Sequence, residues 1–328
     1  MSKSRIVTWI AVLAAFCTGM SMGQELRWFK GNTHAHTTKS DGDALPRQAV
    51  RWYQDHEYNF LVITDHDHLT PVRTLDTDPA DDFLLIAGEE LGASVQKKPV
   101  HVCGINLGRE VASQRGETIA EALQKDIDTV RAAGGIPQIN HPNWKWAFTD
   151  AEMRGLRDVR LLEVINANRD CNNAGAGGRP GTEEIWDRLL TGGMRIWAVA
   201  TDDTHTYFGD WTPEKACPGR GWIVVRAAEL TPAAVTGALE RGDFYASTGV
   251  VLKEVRAGEK EYAVEVEPES DFTYSVRFIG REGRLLQEVH GTKAAYAVRG
   301  DEGYVRVKVV CSSGEVALTQ PVFVGKAE

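Results

Sequence analysis

The sequence predicts an α/β fold followed by a small all-β unit, and three observations predict it. From about residue 26 to 245, short continuous apolar runs alternate with amphipathic stretches. Helix-start signals fall between those runs. After Gly249 the apolar residues switch to strict alternation with polar ones. Continuous apolar strands separated by helices imply a parallel sheet covered on its outer side, hence a TIM-like barrel or a doubly wound sheet. A period of two implies half-buried antiparallel strands.

In chain order, the strand-like runs are Leu61-Val62-Ile63, Phe83 to Ile86, Val100-His101-Val102, Ile136 to Ile139, Leu161 to Ile165, Ile196 to Ala200 and Trp222 to Val225. Ile119, Leu123, Ile127 and Val130 share one helical face, and Thr118-x-x-Glu121 before them has the capping-box pattern. Thr182 to Leu190 reads as a second helix. A third opens with Thr231 as cap and Pro232 in its first turn, where a missing N–H costs nothing. Beyond Gly249, Tyr262 to Val266, Tyr274 to Ile279 and Val305 to Val309 alternate, so residues 250–328 read as a small β-sandwich.

The N-terminal residues stand apart. Lys3 and Arg5 precede an apolar run from Ile6 to Cys17, and Ser21-Met22-Gly23 supplies small residues at the expected cleavage position. Residues 1–23 therefore read as a secretory signal peptide cut before Gln24, giving an exported, periplasmic or extracellular protein with no integral membrane span. Loss of Lys3 and Arg5 moves the formal charge from -9 to -11. An acidic chain without basic blocks is a poor partner for nucleic acid. The composition excludes disordered, collagenous and membrane-embedded classes. Four cysteines remain after cleavage, Cys103, Cys171, Cys217 and Cys311, with no C-x-x-C pair. In an oxidising compartment Cys171 and Cys217, both in Gly/Pro-rich loop sequence, are the expected disulfide.

Histidines and acids follow the ends of the strand runs: Asn32-Thr33-His34-Ala35-His36, Asp41, Thr64-Asp65-His66-Asp67-His68, Gly88-Glu89-Glu90, His101, Asn140-His141-Pro142 and Thr201-Asp202-Asp203-Thr204-His205. In a barrel those strand ends converge on one face. His34 and His36, at i and i+2 on an extended segment, point the same way and can hold one ion. Carboxylates between histidines lower the charge of a multi-ion cluster and can bridge two metals, which imidazole cannot. A His/Asp/Glu set without thiolates suits zinc, iron or manganese. A lone histidine is more often solvated or structural than a ligand, and His56 and His290 are read that way; His68 is left open. Glu89 and Asp202 are candidate acceptors for ligating imidazoles.

The ordered set His-x-His, Thr-Asp-His, Gly-x-Glu, an isolated strand histidine, Asn-His-Pro and Asp-x-His resembles the motifs of the PHP (polymerase and histidinol phosphatase) superfamily over residues 31 to about 226. Gly31 to His36, the pair Glu89-Glu90 and the run Arg241 to Gly249 further resemble its carbaryl-hydrolase-like branch. The resemblance implies a distorted (β/α)7 TIM-like barrel over residues 24–249 and two or three divalent ions, zinc, manganese or iron. It assigns His34, His36, Glu90 and Asp203 to a first ion, with Glu90 bridging to a second completed by His101 and His141. Asp41, His66 and His205 would hold a third. Asp41 stands where several PHP phosphatases have histidine, which weakens the case for zinc there. Glu90, Asp203, His205 and Asp65 are the expected catalytic residues, Asp65 supporting His66 or His34 from behind.

Ions sharing a water lower its pKa and neutralise charge on a phosphoryl or carbonyl oxygen, so no activated serine or cysteine is required. The expected activity is phosphomonoester or phosphodiester hydrolysis on a small anionic substrate, with carbamate, ester or amide hydrolysis as the alternative. A non-catalytic metal- or carbohydrate-binding protein is the alternative of another class. Arg179, in the segment Ala174 to Gly181, is a candidate clamp for an anionic group. Tyr207, with Trp144, Trp146 and Trp211, is a candidate pocket wall.

Overall fold

Each expected apolar run falls in a strand of the computed structural model, which describes residues 25–75 and 82–325. The expected signal peptide, residues 1–23, lies outside the described residues. The strands of the first part are β1 (Arg27–Asn32), β2 (Phe60–Ile63), β3 (Leu84–Val95), β4 (Lys98–Ile105), β5 (Ile136–Ile139), β6 (Leu161–Asn166), β7 (Trp197–Thr201), β8 (Trp222–Ala227) and β9 (Phe244–Ser247). Helices α1 (Pro46–Asp55), α2 (Ile119–Ala132), α3 (Asp150–Met153), α4 (Thr182–Thr191) and α5 (Pro232–Arg241) lie between them. Thr118 caps α2 by accepting from the Glu121 N–H, as expected, but the Glu121 carboxylate reaches the Glu117 N–H rather than closing the box on Thr118. Thr231 caps α5 through the Ala234 N–H.

Hydrogen-bonded order is β9-β8-β1-β2-β3-β4-β5-β6-β7. β1, β2 and β3 are parallel, as are β5, β6 and β7, but β4 and β8 run against their neighbours. The all-parallel sheet expected from the apolar runs is therefore a mixed one. Its reversal at β4 comes from a two-residue turn, Gln96 and Lys97, both with positive φ (50° and 67°). That backbone matches the right-handed strand twist and returns the chain antiparallel.

β7 has no ladder partner on its second side among the described residues. Two devices close the gap. Above β7, Ala35 and Thr204 form an isolated parallel bridge, and the His36 N–H donates to the Thr204 carbonyl at 2.9 Å. Lower down, the Gln320 side chain takes the place of a strand. Its Oε1 accepts from the Ala198 N–H (2.8 Å) and its Nε2 donates to the Ala198 carbonyl (2.9 Å).

The C-terminal strands are β10 (Leu252–Ala257), β11 (Glu261–Val266), β12 (Tyr274–Gly280), β13 (Arg284–His290), β14 (Lys293–Ala297), β15 (Tyr304–Cys311), β16 (Val316–Thr319) and β17 (Val322–Phe323). β10-β11-β14 form one antiparallel layer, and β13-β12-β15-β16 form another. Tyr262, Val264, Phe278 and Val307 fill the space between them, together with Val224 of β8 and Tyr245 of β9. β16 also pairs with β9. The chain passes the expected boundary at Gly249 between β9 and β10, while the sheet and this core cross it. Across the same junction, buried Arg306 is held by Asp187 and Glu183 of α4.

Candidate metal centre

Because β1, β2, β3, β5, β6 and β7 point the same way, the residues following them gather on one face. β3 is longer than β2, so Glu90 stands beyond the end of β2, bridged to His66. β4 is reversed and reaches this face near its beginning, at His101, whose carbonyl accepts from the Asn140 N–H. His141 and Asp203 adopt positive φ (23° and 47°). Such backbone costs on the order of 1–3 kcal/mol and persists only where the surroundings enforce it.

At the centre four atoms meet: His34 Nε2, His36 Nε2, Glu90 Oε2 and Asp203 Oδ1. The imidazole nitrogens are 3.1 Å apart, and each lies 3.2–3.3 Å from the two carboxylate oxygens. Glu90 Oε2 is also 3.1 Å from His66 Nδ1, whereas its Oε1 faces His101 Nδ1 at 3.1 Å and His141 Nε2 at 3.2 Å. Asp41 Oδ1 lies 3.3 Å from His205 Nε2 and 3.6 Å from His36 Nδ1, and its Oδ2 is 3.7 Å from His66 Nε2.

These contacts test whether cations fit. The Glu163 carboxylate accepts from His34 Nδ1–H at 2.6 Å, so the neutral ring presents a lone pair, not a proton, at Nε2. Lone pairs of His34, Glu90 and Asp203 would then confront one another among buried side chains. A cation at their centre resolves the conflict. Four donors about 2 Å from one ion in a tetrahedron stand about 3.3 Å apart, which is the spacing observed. Without a metal, the protein's own charges make the same demand. Burial opposes protonation of His34, yet Asp203, Glu90 and Glu163 together hold its pKa well above the usual imidazole value. His36 is likewise lifted, against burial, to about 9 by Asp203 and Glu90. Glu90 and Asp203 stay well below the carboxylate range despite burial, because imidazoles surround them.

No protein-family profile matches the chain. A segment of 108 residues is 30% identical to the 5'-3' exoribonuclease Rnm of Escherichia coli (strain K12), covering 28% of this chain and 37% of that protein. The likeness thus spans little more than a third of the ribonuclease. A two-domain protein from Bacteroides vulgatus, described as containing a predicted PHP-like metal-dependent phosphoesterase, aligns over 90% of this chain and 96% of its own, with TM-score 0.50 and 14% identity. The chain has a PHP-like fold. Two further structures align less well. A proposed metal-dependent phosphoesterase from Bifidobacterium adolescentis covers 53% of this chain and 87% of its own (TM-score 0.38, 17% identity). An amidohydrolase from Chromobacterium violaceum, with bound sulfate and no metal, covers 56% and 93% (TM-score 0.39, 12% identity).

On this PHP-like fold all nine residues named as ligands, His34, His36, Asp41, His66, Glu90, His101, His141, Asp203 and His205, come together. His56 stacks on Trp52, His290 at the end of β13 contacts Ser275 of β12, and His68 faces Glu110; all three are outside the cluster. Other expectations need correction. Asp65 touches neither His34 nor His66. It accepts from the Thr37 N–H and from the hydroxyls of Thr37, Ser40 and Thr70, and so shapes the loop that carries Asp41. Glu89 points to the other face of β3 and accepts from the Val111 N–H. Asp202 is held by Asn32, Tyr53 and the Arg220 and Gly221 N–H groups. Arg179 lies over Trp146, 5.0 Å from its ring, and Tyr207 packs in the core with Tyr53 and Ala35. Neither lines the cavity above the cluster. Trp211 leans on Trp52 and is also outside it, whereas Trp144 is in the wall. Cys171 and Cys217 are both buried and free, not a disulfide.

The supporting groups missed in the sequence are Glu163, Asn166 and Asn168. Asn166 and Asn168 both donate to Asp203 Oδ2 at 3.0 Å. One signal was available for Glu163: an acid in the middle of the apolar run Leu161 to Ile165 needs a buried partner.

Proposed function

We propose that this chain is a metal-dependent phosphoesterase acting on a small anionic ester, with His34, His36, Glu90 and Asp203 holding one ion and Glu90, His101 and His141 a second. Asp41, His66 and His205, with His36 beside them, form the third position. The observation that carries this reading is the meeting of four potential ligand atoms, two imidazole nitrogens and two carboxylate oxygens, at 3.1–3.3 Å in a buried site. Bound divalent ions would lower the pKa of water and neutralise charge developing on a phosphoryl oxygen.

The chain's own groups do the rest. Glu163 fixes the tautomer of His34 so that Nε2 faces inward. Asn140 donates to Glu90 Oε1 at 2.7 Å and holds that carboxylate across the two histidine pairs. Asn166 and Asn168 tie back Asp203 Oδ2, which leaves Oδ1 for the centre. Asp65, through Thr37 and Ser40, sets the loop that carries Asp41.

Over the cluster opens a cavity of about 290 Å³, whose wall includes Asp41, His66, Trp144, Asp170, His205 and Glu214. No lysine or arginine is among its described lining residues. Binding of a polynucleotide relies on cations along its phosphates, so the acidic mouth supports a small substrate with one anionic group at the ions. Trp144, its Nε1–H donated to Asp170 at 2.8 Å, offers a ring beside His101 and His141 for the remainder of the substrate.

The test is a panel on protein stripped by chelation and reloaded with Mn²⁺ or Zn²⁺: p-nitrophenyl phosphate, bis-p-nitrophenyl phosphate, an aryl carbamate and a single-stranded oligonucleotide. Metal-dependent turnover of a phosphate ester with little or none of the oligonucleotide is expected. Turnover of the carbamate alone would replace the phosphoesterase reading by the carbaryl-hydrolase-like one. No turnover with full metal loading would favour a binding protein.

A further inference from the structure

Glu163 sits in the middle of β6, fully buried, with a donor on each side of both its oxygens. Oε1 accepts from His34 Nδ1–H (2.6 Å) and the Thr201 hydroxyl (2.6 Å). Oε2 accepts from the His141 backbone N–H (2.8 Å) and Asn166 Nδ2 (3.0 Å). Asn166 in turn holds Asp203. No lysine or arginine is hydrogen-bonded or ion-paired to Glu163 in the described structure. A buried carboxylate in such a place is kept by what it organises.

What it organises are two histidines assigned above to different ions. Its Oε1 turns His34 so that Nε2 faces Glu90 Oε2 and Asp203. Its Oε2 grips the backbone of His141 at a φ of 23°, where a non-glycine residue is strained. The two oxygens of one planar group cannot move independently. An ion that draws His34 into place therefore settles the carboxylate, and with it the segment that presents His141.

Resting on the metal-dependent reading above, we propose that Glu163 is a positioning residue that couples the first two ion positions, so that they fill together. The chain then gains little from one ion alone. A glutamine at this position fails whichever way it is turned. Its NH₂ group faces either the His34 and Thr201 donors or the His141 and Asn166 donors.

The experiment is metal titration of the chelated full-length protein, followed by calorimetry and elemental analysis. Wild type is expected to take up the first two ions in one cooperative step. Glu163→Gln should weaken both, by about 10- to 100-fold each, the range for partners that orient metal ligands, and should separate them into two steps. Glu163→Asp keeps the carboxylate but is too short to reach both histidines, and should also lose cooperativity. Loss of one ion with the other unchanged, or two independent sites in wild type, would overturn the proposal. A wild type that binds no metal would instead overturn the metal-dependent reading. Should neither variant fold, long-range ¹H–¹⁵N spectra of loaded wild type decide: His34 protonated at Nδ1 is required, and a proton at Nε2 refutes the proposal.

Discussion

Glu90 and Asp126 are both buried carboxylates, and their surroundings give them opposite properties. Around Glu90 the imidazoles outweigh burial and keep it charged. Asp126, on α2, has one N–H donor at 2.6 Å, from Gln114, and its Oδ2 has no protein partner. Burial, with a small push from Asp67, lifts its pKa from 3.8 to about 7. The folded protein thus holds this proton more tightly than the unfolded chain does. The contribution is fully present below about pH 4 and is lost as pH rises to 7, by at most about 1.4 kcal/mol per pH unit. Asp126→Asn should therefore gain stability relative to wild type as pH rises from 4.5 to 7.5. Urea midpoints for both proteins across that range check it, and a difference independent of pH would count against it. At this scale the ligands were legible because chemistry-bearing residues cluster after apolar runs. For Glu163 only an acid inside an apolar run was legible; its partners were not, because His34 and Thr201 lie 129 and 38 residues away.

Strand existence was written in the apolar runs, but strand direction was not. Hydrophobicity has no polarity along the chain, so the runs around His101 and Trp222 were read as parallel. The reversal after β3 rests on Gln96 and Lys97 at positive φ, positions where glycine or asparagine would have announced a hairpin. Nor does the sequence announce that a side chain serves as strand neighbour to β7. Gln320 does so with both amide atoms buried against Ala198. Gln320→Leu has similar bulk but leaves the Ala198 N–H and carbonyl unpaired. Each buried unsatisfied group costs about 1–3 kcal/mol, so roughly 2–6 kcal/mol is expected for the two. Denaturant unfolding measures this. A midpoint equal to that of wild type would show that the seam closes without the glutamine.

Across the whole molecule, the period-two strands were legible as a β unit, whereas their union with the barrel was not. A boundary drawn at Gly249 follows the change in pattern. The β9–β16 pairing and the packing of Val224 and Tyr245 among C-terminal residues depend on contacts between distant segments. The same holds for the site, whose nine candidate ligands span residues 34 to 205 and meet because six strands point one way while reversed β4 brings His101 to the same face. Function at this scale rests on whether the cluster is a metal centre. Elemental analysis of the purified full-length protein, beside Glu90→Gln and His56→Ala, tests that most directly. Wild type and His56→Ala should carry at least two divalent transition-metal ions per chain. Glu90→Gln, which removes the charge shared by both positions, should lose both. A metal-free wild type that cannot be loaded, or Glu90→Gln with its full complement, would contradict the account.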